Sequence, residues 1–143
     1  MITETPSVSQ LSQVISQAIT PAFLLGALAA FISVLILRMN RVVDRSQALN
    51  AIESSDPARA LLKADLPRLK QRSVLLNRAI LYASTSAIFA TLLVIVAFVS
   101  AFFGIQHERG IAVLFVVTLG FFAAALVNLA RETLIALHEF DYF

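Results

Sequence analysis

Three stretches of this chain hold almost nothing but apolar and small residues: positions 21–37, 79–103 and 111–130. A helix needs about 20 such residues to cross a hydrocarbon core of about 30 Å, so each stretch predicts a membrane span. The first alone is short enough for a buried helix of a soluble protein. Three of them in 143 residues, 59% hydrophobic and 14% charged, leave too little polar cover, since a soluble domain carries roughly 25% charged residues. The pattern predicts an all-α integral membrane fold, a single domain over residues 1–143.

Ahead of the first span the period changes. Val8, Leu11, Ile15 and Ile19 are apolar, with Ser9, Gln10, Ser12, Gln13, Ser16 and Gln17 between them. That is the spacing of an amphipathic helix with an uncharged polar face. Thr20 suits an N-cap and Pro21 the first turn of the next helix. Residues 7–20 therefore read as an interfacial helix on the external face, followed by a bend into span one.

From Pro21 no turn signal appears until Ser54, Ser55, Asp56 and Pro57, so the first helix is expected to run on to about Glu53. Asp56 and Pro57 begin a short helix through Ala64, and Asp65, Leu66 and Pro67 restart one that continues into span two and stops near Gly104. Residues 38–78 thus form a helical hairpin. Its seam is predicted from two runs at 3-4 spacing: Met39, Val42, Ser46, Leu49, and Leu66, Leu69, Ser73, Leu76, Ile80. An intersubunit bundle is the alternative use of the same runs.

Charge then orients the spans. Nine of the eleven basic residues lie between Arg38 and Arg78, and only Arg109 sits in the link between spans two and three. Residues 38–78 carry four acids, hence a net +5 within a total of +2. Positive charge stays cytoplasmic in short loops. The hairpin is expected inside, the N-terminus outside, and the tail 131–143 inside with Phe140, Tyr142 and Phe143 as aromatic anchors. The start of the chain has Glu4 and no base before Arg38, so it lacks the basic region of a secretory signal and is expected to be retained.

Arg38, Arg41 and Arg45 follow the first span at i, i+3 and i+7, within about 60° of one another on a helix. They are either a stripe that reaches anionic headgroups or part of a buried boundary network in which Asp44 pairs with Arg41. Within the spans, Ala22, Gly26, Ala29 and Ser33 share one helix face, as do Gly120 and Ala124 with Asn128 a turn beyond. Small residues at that spacing let helices approach closely in lipid, which points to a homo-oligomer or a subunit of a larger complex.

Candidate chemistry is sparse. No charge falls inside the three stretches, which disfavours a proton-coupled carrier. Ser84, Thr85 and Ser86 are the cluster that could line a pore, although hydroxyls commonly bond back to their own helix. His107 with Glu108, and His138 with Glu139 and Asp141, lack the three or four converging ligands of a metal site. There is no cysteine, no glycine-rich phosphate loop and no nucleophile arrangement. No cofactor, nucleic-acid partner or catalytic activity is expected.

The segment ISQAITPAFLLGALAAFISVLILRMNRVVDRSQAL, with LPRLKQRSVLLNRAILYAS ahead of span two, resembles the small bacterial membrane proteins grouped as domain of unknown function 2721. The sharpest points of likeness are residues 19–25, the run Arg41-Val42-Val43-Asp44-Arg45, and Leu76-Asn77-Arg78-Ala79-Ile80. The resemblance implies three spans, no established activity, and a joint role for Arg41, Asp44, Arg45, Asn77 and Arg78 at the cytoplasmic boundary beside Arg38. The expected function is a non-catalytic, oligomeric or accessory structural subunit of the bacterial inner membrane; the alternatives are a homo-oligomeric ion channel and a sensor of anionic lipid.

Overall fold

The computed structural model of the chain describes residues 8–52, 61–104 and 108–140. They form three long helices, α1 (Val8–Asn50), α2 (Leu66–Phe103) and α3 (Glu108–Phe140), with a 3-10 turn at Leu61–Asp65 before α2 and no strand among the described residues. In each helix an 18-residue window reaches a mean hydropathy of 2.3, 2.5 or 2.6, yet only 17, 28 and 11% of those windows are buried. The apolar side chains point outwards, so hydrocarbon and not water must solvate them. This is a multi-pass membrane protein.

What is buried follows a period of seven. In α1 the buried positions are Pro21, Leu28, Leu35, Val42 and Leu49; in α2 they include Leu69, Leu76, Ala83, Ala90 and Ala97, with Ala79, Ser86 and Leu93 between. In α3, Thr118, Ala125 and Glu132 are fully buried, and Asn128 is nearly so. A seven-residue burial repeat belongs to left-handed helix packing, crossing at roughly 20°. α2 lies between the other two and packs along both, whereas α1 and α3 barely approach. They meet through long side chains instead: the rings of Phe31 and Phe122 stack with centroids 5.4 Å apart. Phe121 fills the space beside the α2 seam, stacked on Phe89 at 5.5 Å and tilted against Tyr82 at 6.2 Å.

The hairpin seam is close to the expected one. Val42, Leu49, Leu69 and Leu76 are core residues, and Met39, Leu66 and Ile80 pack against them. Ser73 is not the seam residue between Leu69 and Leu76. It is half-buried and donates its hydroxyl to the Lys70 carbonyl at 2.7 Å, and the register position three after Leu69 belongs to Arg72.

Helix boundaries agree at α2 and differ at α1. α2 begins after Asp65 with Pro67 in its first turn and ends at Gly104, whose φ of 68° closes the helix in the left-handed conformation. The separate interfacial helix expected over residues 7–20 is not a separate element: α1 runs as one helix of 43 residues, with Pro21 inside it. Proline removes one backbone hydrogen bond from a helix interior, and α1 continues through that loss as one helix. The buried Pro21 ring occupies a seam position and therefore contributes packing where it weakens the backbone. Of the short helix expected from Asp56, residues 61–65 form the 3-10 turn; positions 53–60 lie outside the described residues.

Candidate functional site

Glu132 stands seven residues after Ala125 on the α3 seam and is completely buried. Its Oε2 accepts hydrogen bonds from Nε and Nη2 of Arg38 on α1, at 2.8 and 2.5 Å. Its Oε1 accepts one from Nε of Arg72 on α2, at 2.9 Å. Arg38 Nη2 also reaches the Thr133 hydroxyl at 3.4 Å, and that hydroxyl donates to the Leu129 carbonyl at 2.9 Å. One carboxylate therefore ties all three helices together.

The seam repeat explains why these residues meet. Arg38 lies three residues after Leu35 and four before Val42, and Arg72 three after Leu69 and four before Leu76, so each occupies a core position of its helix. A polar layer at core positions fixes register and partner choice among helices that apolar packing would let slide. Its height is set by the bilayer. Arg38 is 17 residues past Pro21 and Glu132 is 21 past Ile111, or about 26 and 32 Å of helix, close to the thickness of the hydrocarbon core. The layer thus sits at one edge of the apolar zone, where the guanidiniums, with side chains 31% and 16% exposed, still reach polar surroundings.

Two guanidiniums share the one carboxylate of Glu132. Both carboxylate oxygens are engaged, so Glu132 is not presented to a substrate. Among the described residues no three histidine, aspartate or glutamate side chains gather as metal ligands. At the opposite end α1 and α3 part around an apolar cavity of about 320 Å³, lined by Pro21, Leu93, Ala97, Ile111, Ala112 and Phe115, with Thr20 at its rim. Thr20 is the one polar side chain in its lining.

A family model described as a protein of unknown function, DUF2721, matches residues 18–142. The chain belongs to that family. Among curated proteins and among solved structures nothing matches. The DUF2721 match bears out the resemblance seen in the sequence, and it spans all three residues of the ionic layer.

The DUF2721 chain uses the boundary residues unevenly. Arg38 enters the layer. Arg41, Asp44, Arg45, Asn77 and Arg78 are all exposed, and none of them forms an ion pair among the described residues. The intrachain network at this height is built from Arg72 and Glu132, which the sequence reading did not single out. The small-residue faces also turn outwards: Ala22, Gly26, Ala29, Ser33 and Gly120 are exposed and Ala124 half-buried, and a Cβ added at Gly26 or Gly120 would meet nothing within 4 Å. These residues do not pack helices within the chain. Of the hydroxyl cluster, Thr85 bonds back to Leu81 at 2.8 Å, and the buried Ser86 donates across to the Thr118 carbonyl at 2.7 Å. His107, Asp141, Tyr142 and Phe143 lie outside the described residues, and His138 is exposed.

Proposed function

We propose that this DUF2721 protein is a non-catalytic structural subunit of the bacterial inner membrane that assembles with copies of itself through the outward face of α1. One observation carries the reading: α1 spends its buried heptad face on α2 and leaves Ala22, Gly26, Ala29 and Ser33 bare on the opposite side. At about 100° per residue, Val8, Leu11, Ile15 and Ile19 fall on that same bare side, and they are 47–85% exposed. Counted from Arg38, 30 Å of helix ends near residue 18, so part of this apolar row rises past the hydrocarbon. Because α1 is continuous there, the row is carried upright, where a neighbouring copy covers it better than lipid does.

The concentration of basic residues at 38–78 supports an orientation with the ionic layer and the hairpin in the cytoplasm, the N-terminus outside and the C-terminus inside. The satisfaction of Thr85 and Ser86 within the chain gives the ion-channel alternative less support than the subunit reading.

The test is the mass of the purified protein in native nanodiscs, compared with a Gly26→Leu, Ala29→Leu variant. Oligomers that the variant reduces to monomers support the reading. A wild-type protein that is strictly monomeric and copurifies with nothing overturns it.

A further inference from the structure

We propose that Arg38, Arg41 and Arg45 form a docking site for the phosphodiester of an anionic phospholipid, with Arg38 held in place by Glu132. Arg38 has three nitrogens. Nε and Nη2 are committed to Glu132 and Thr133, while Nη1 makes no hydrogen bond among the described residues and the side chain stays 31% exposed. Arg38 does not hold the Glu132 carboxylate alone: Oε2 takes Arg38 and Oε1 takes Arg72.

Arg41 and Arg45 stand one and two turns further along the same side of α1, exposed and without an ion pair among the described residues. Asp44 lies beside them, exposed too, and does not pair with either. The site is therefore a guanidinium held by Glu132 at the hydrocarbon edge and two exposed guanidiniums below it. A phosphodiester lies at that height in a bilayer. A guanidinium already held by Glu132 loses little further freedom when its Nη1 donates to a phosphate oxygen, which distinguishes this arrangement from a generic basic loop.

The commitment is to a lipid and not to a soluble anion, since the fixed member of the trio sits directly against the apolar zone. The proposal is independent of self-assembly: a monomer in nanodiscs leaves it standing.

The experiment measures binding of short-chain phosphatidylglycerol and phosphatidylcholine to the full-length protein in neutral detergent, by native mass spectrometry and by the shift in thermal unfolding. Wild type, Arg41→Gln with Arg45→Gln, and Arg109→Gln at the other end of the spans are compared. Phosphatidylglycerol is expected to bind at least tenfold tighter than phosphatidylcholine, and the double variant to lose about ten- to thirtyfold of that affinity. Arg109→Gln is expected to match wild type. Equal binding of the two lipids by wild type overturns the proposal whether or not the variant folds. An undiminished double variant overturns it as well. Inorganic phosphate alone producing the full thermal shift reassigns the site to a free anion and overturns the lipid assignment.

Discussion

Arg72 and Glu132 meet across 60 positions of sequence, Nε to Oε1 at 2.9 Å, in a structure where both occupy the seam of their own helix. Breaking a buried ion pair by removing one partner costs about 3–5 kcal/mol, because the remaining charge is left uncompensated, whereas replacing the whole set by apolar residues of similar volume is often neutral. Glu132→Gln is therefore expected to destabilise the protein by several kcal/mol, leaving two guanidiniums facing each other. The triple variant Arg38→Met, Arg72→Met, Glu132→Leu is expected to recover at least half of that loss. Unfolding in mixed micelles measures both. Additive losses in the triple variant would show that the layer does not act as a unit.

The seam makes a second expectation that separates inward from outward leucines. Leu35 and Leu76 are fully buried, while Leu37 is 62% exposed to the surroundings. Shortening a buried leucine to alanine leaves a void and costs about 2–5 kcal/mol. Leu37→Ala is expected to change the unfolding midpoint little, since lipid or detergent replaces the lost contact, and Leu35→Ala and Leu76→Ala to lower it clearly. Equal effects at all three positions would mean that the seven-residue seam is not the packing surface.

How much of this was legible in the sequence depends on which physical signal each element leaves. The three spans were legible because the bilayer demands a run of apolar residues, and the hairpin seam because Val42, Leu49, Leu69 and Leu76 keep a 3-4 rhythm. The start of α1 was not, because Thr20 and Pro21 give a strong local start signal that a continuous helix overrides. Glu132 leaves no hydropathy signal because the third apolar run ends at Ala130, while the helical register runs on to Phe140. Counting sevens from Thr118 and Ala125, and not averaging apolarity, is what reaches it. Arg72 and Ser73 stand three and four after Leu69 and fit the rhythm equally, so spacing alone does not tell which of them lies in the seam.

The orientation proposed for the chain is directly checkable because it contains no cysteine. Gln47 and Arg109 are both exposed, near opposite ends of the spans. In intact cells stripped of outer layers, a membrane-impermeant maleimide is expected to label an Arg109→Cys variant and to leave Gln47→Cys unlabelled until the membrane is opened. The reverse pattern would place the basic hairpin outside, contrary to the retention of positive charge in the cytoplasm.

Two glycines with open space around them are expected to behave differently. Gly104 closes α2 with φ at 68°, a conformation that costs a residue with a Cβ about 1 kcal/mol or more even though nothing blocks the added methyl. Gly26 is ordinary helix, where alanine is the better helix former by about 1 kcal/mol and again meets nothing. Gly104→Ala is thus expected to lower the stability of the chain and Gly26→Ala to leave it unchanged or raise it. A bulkier Gly26→Leu is expected to leave the fold intact as well, because the face is bare within the chain, while weakening association between copies. Thermal unfolding and nanodisc mass together check this. If Gly26→Leu unfolds the protein instead of separating its copies, then the outward face of α1 is holding the chain itself together and the subunit contact lies elsewhere.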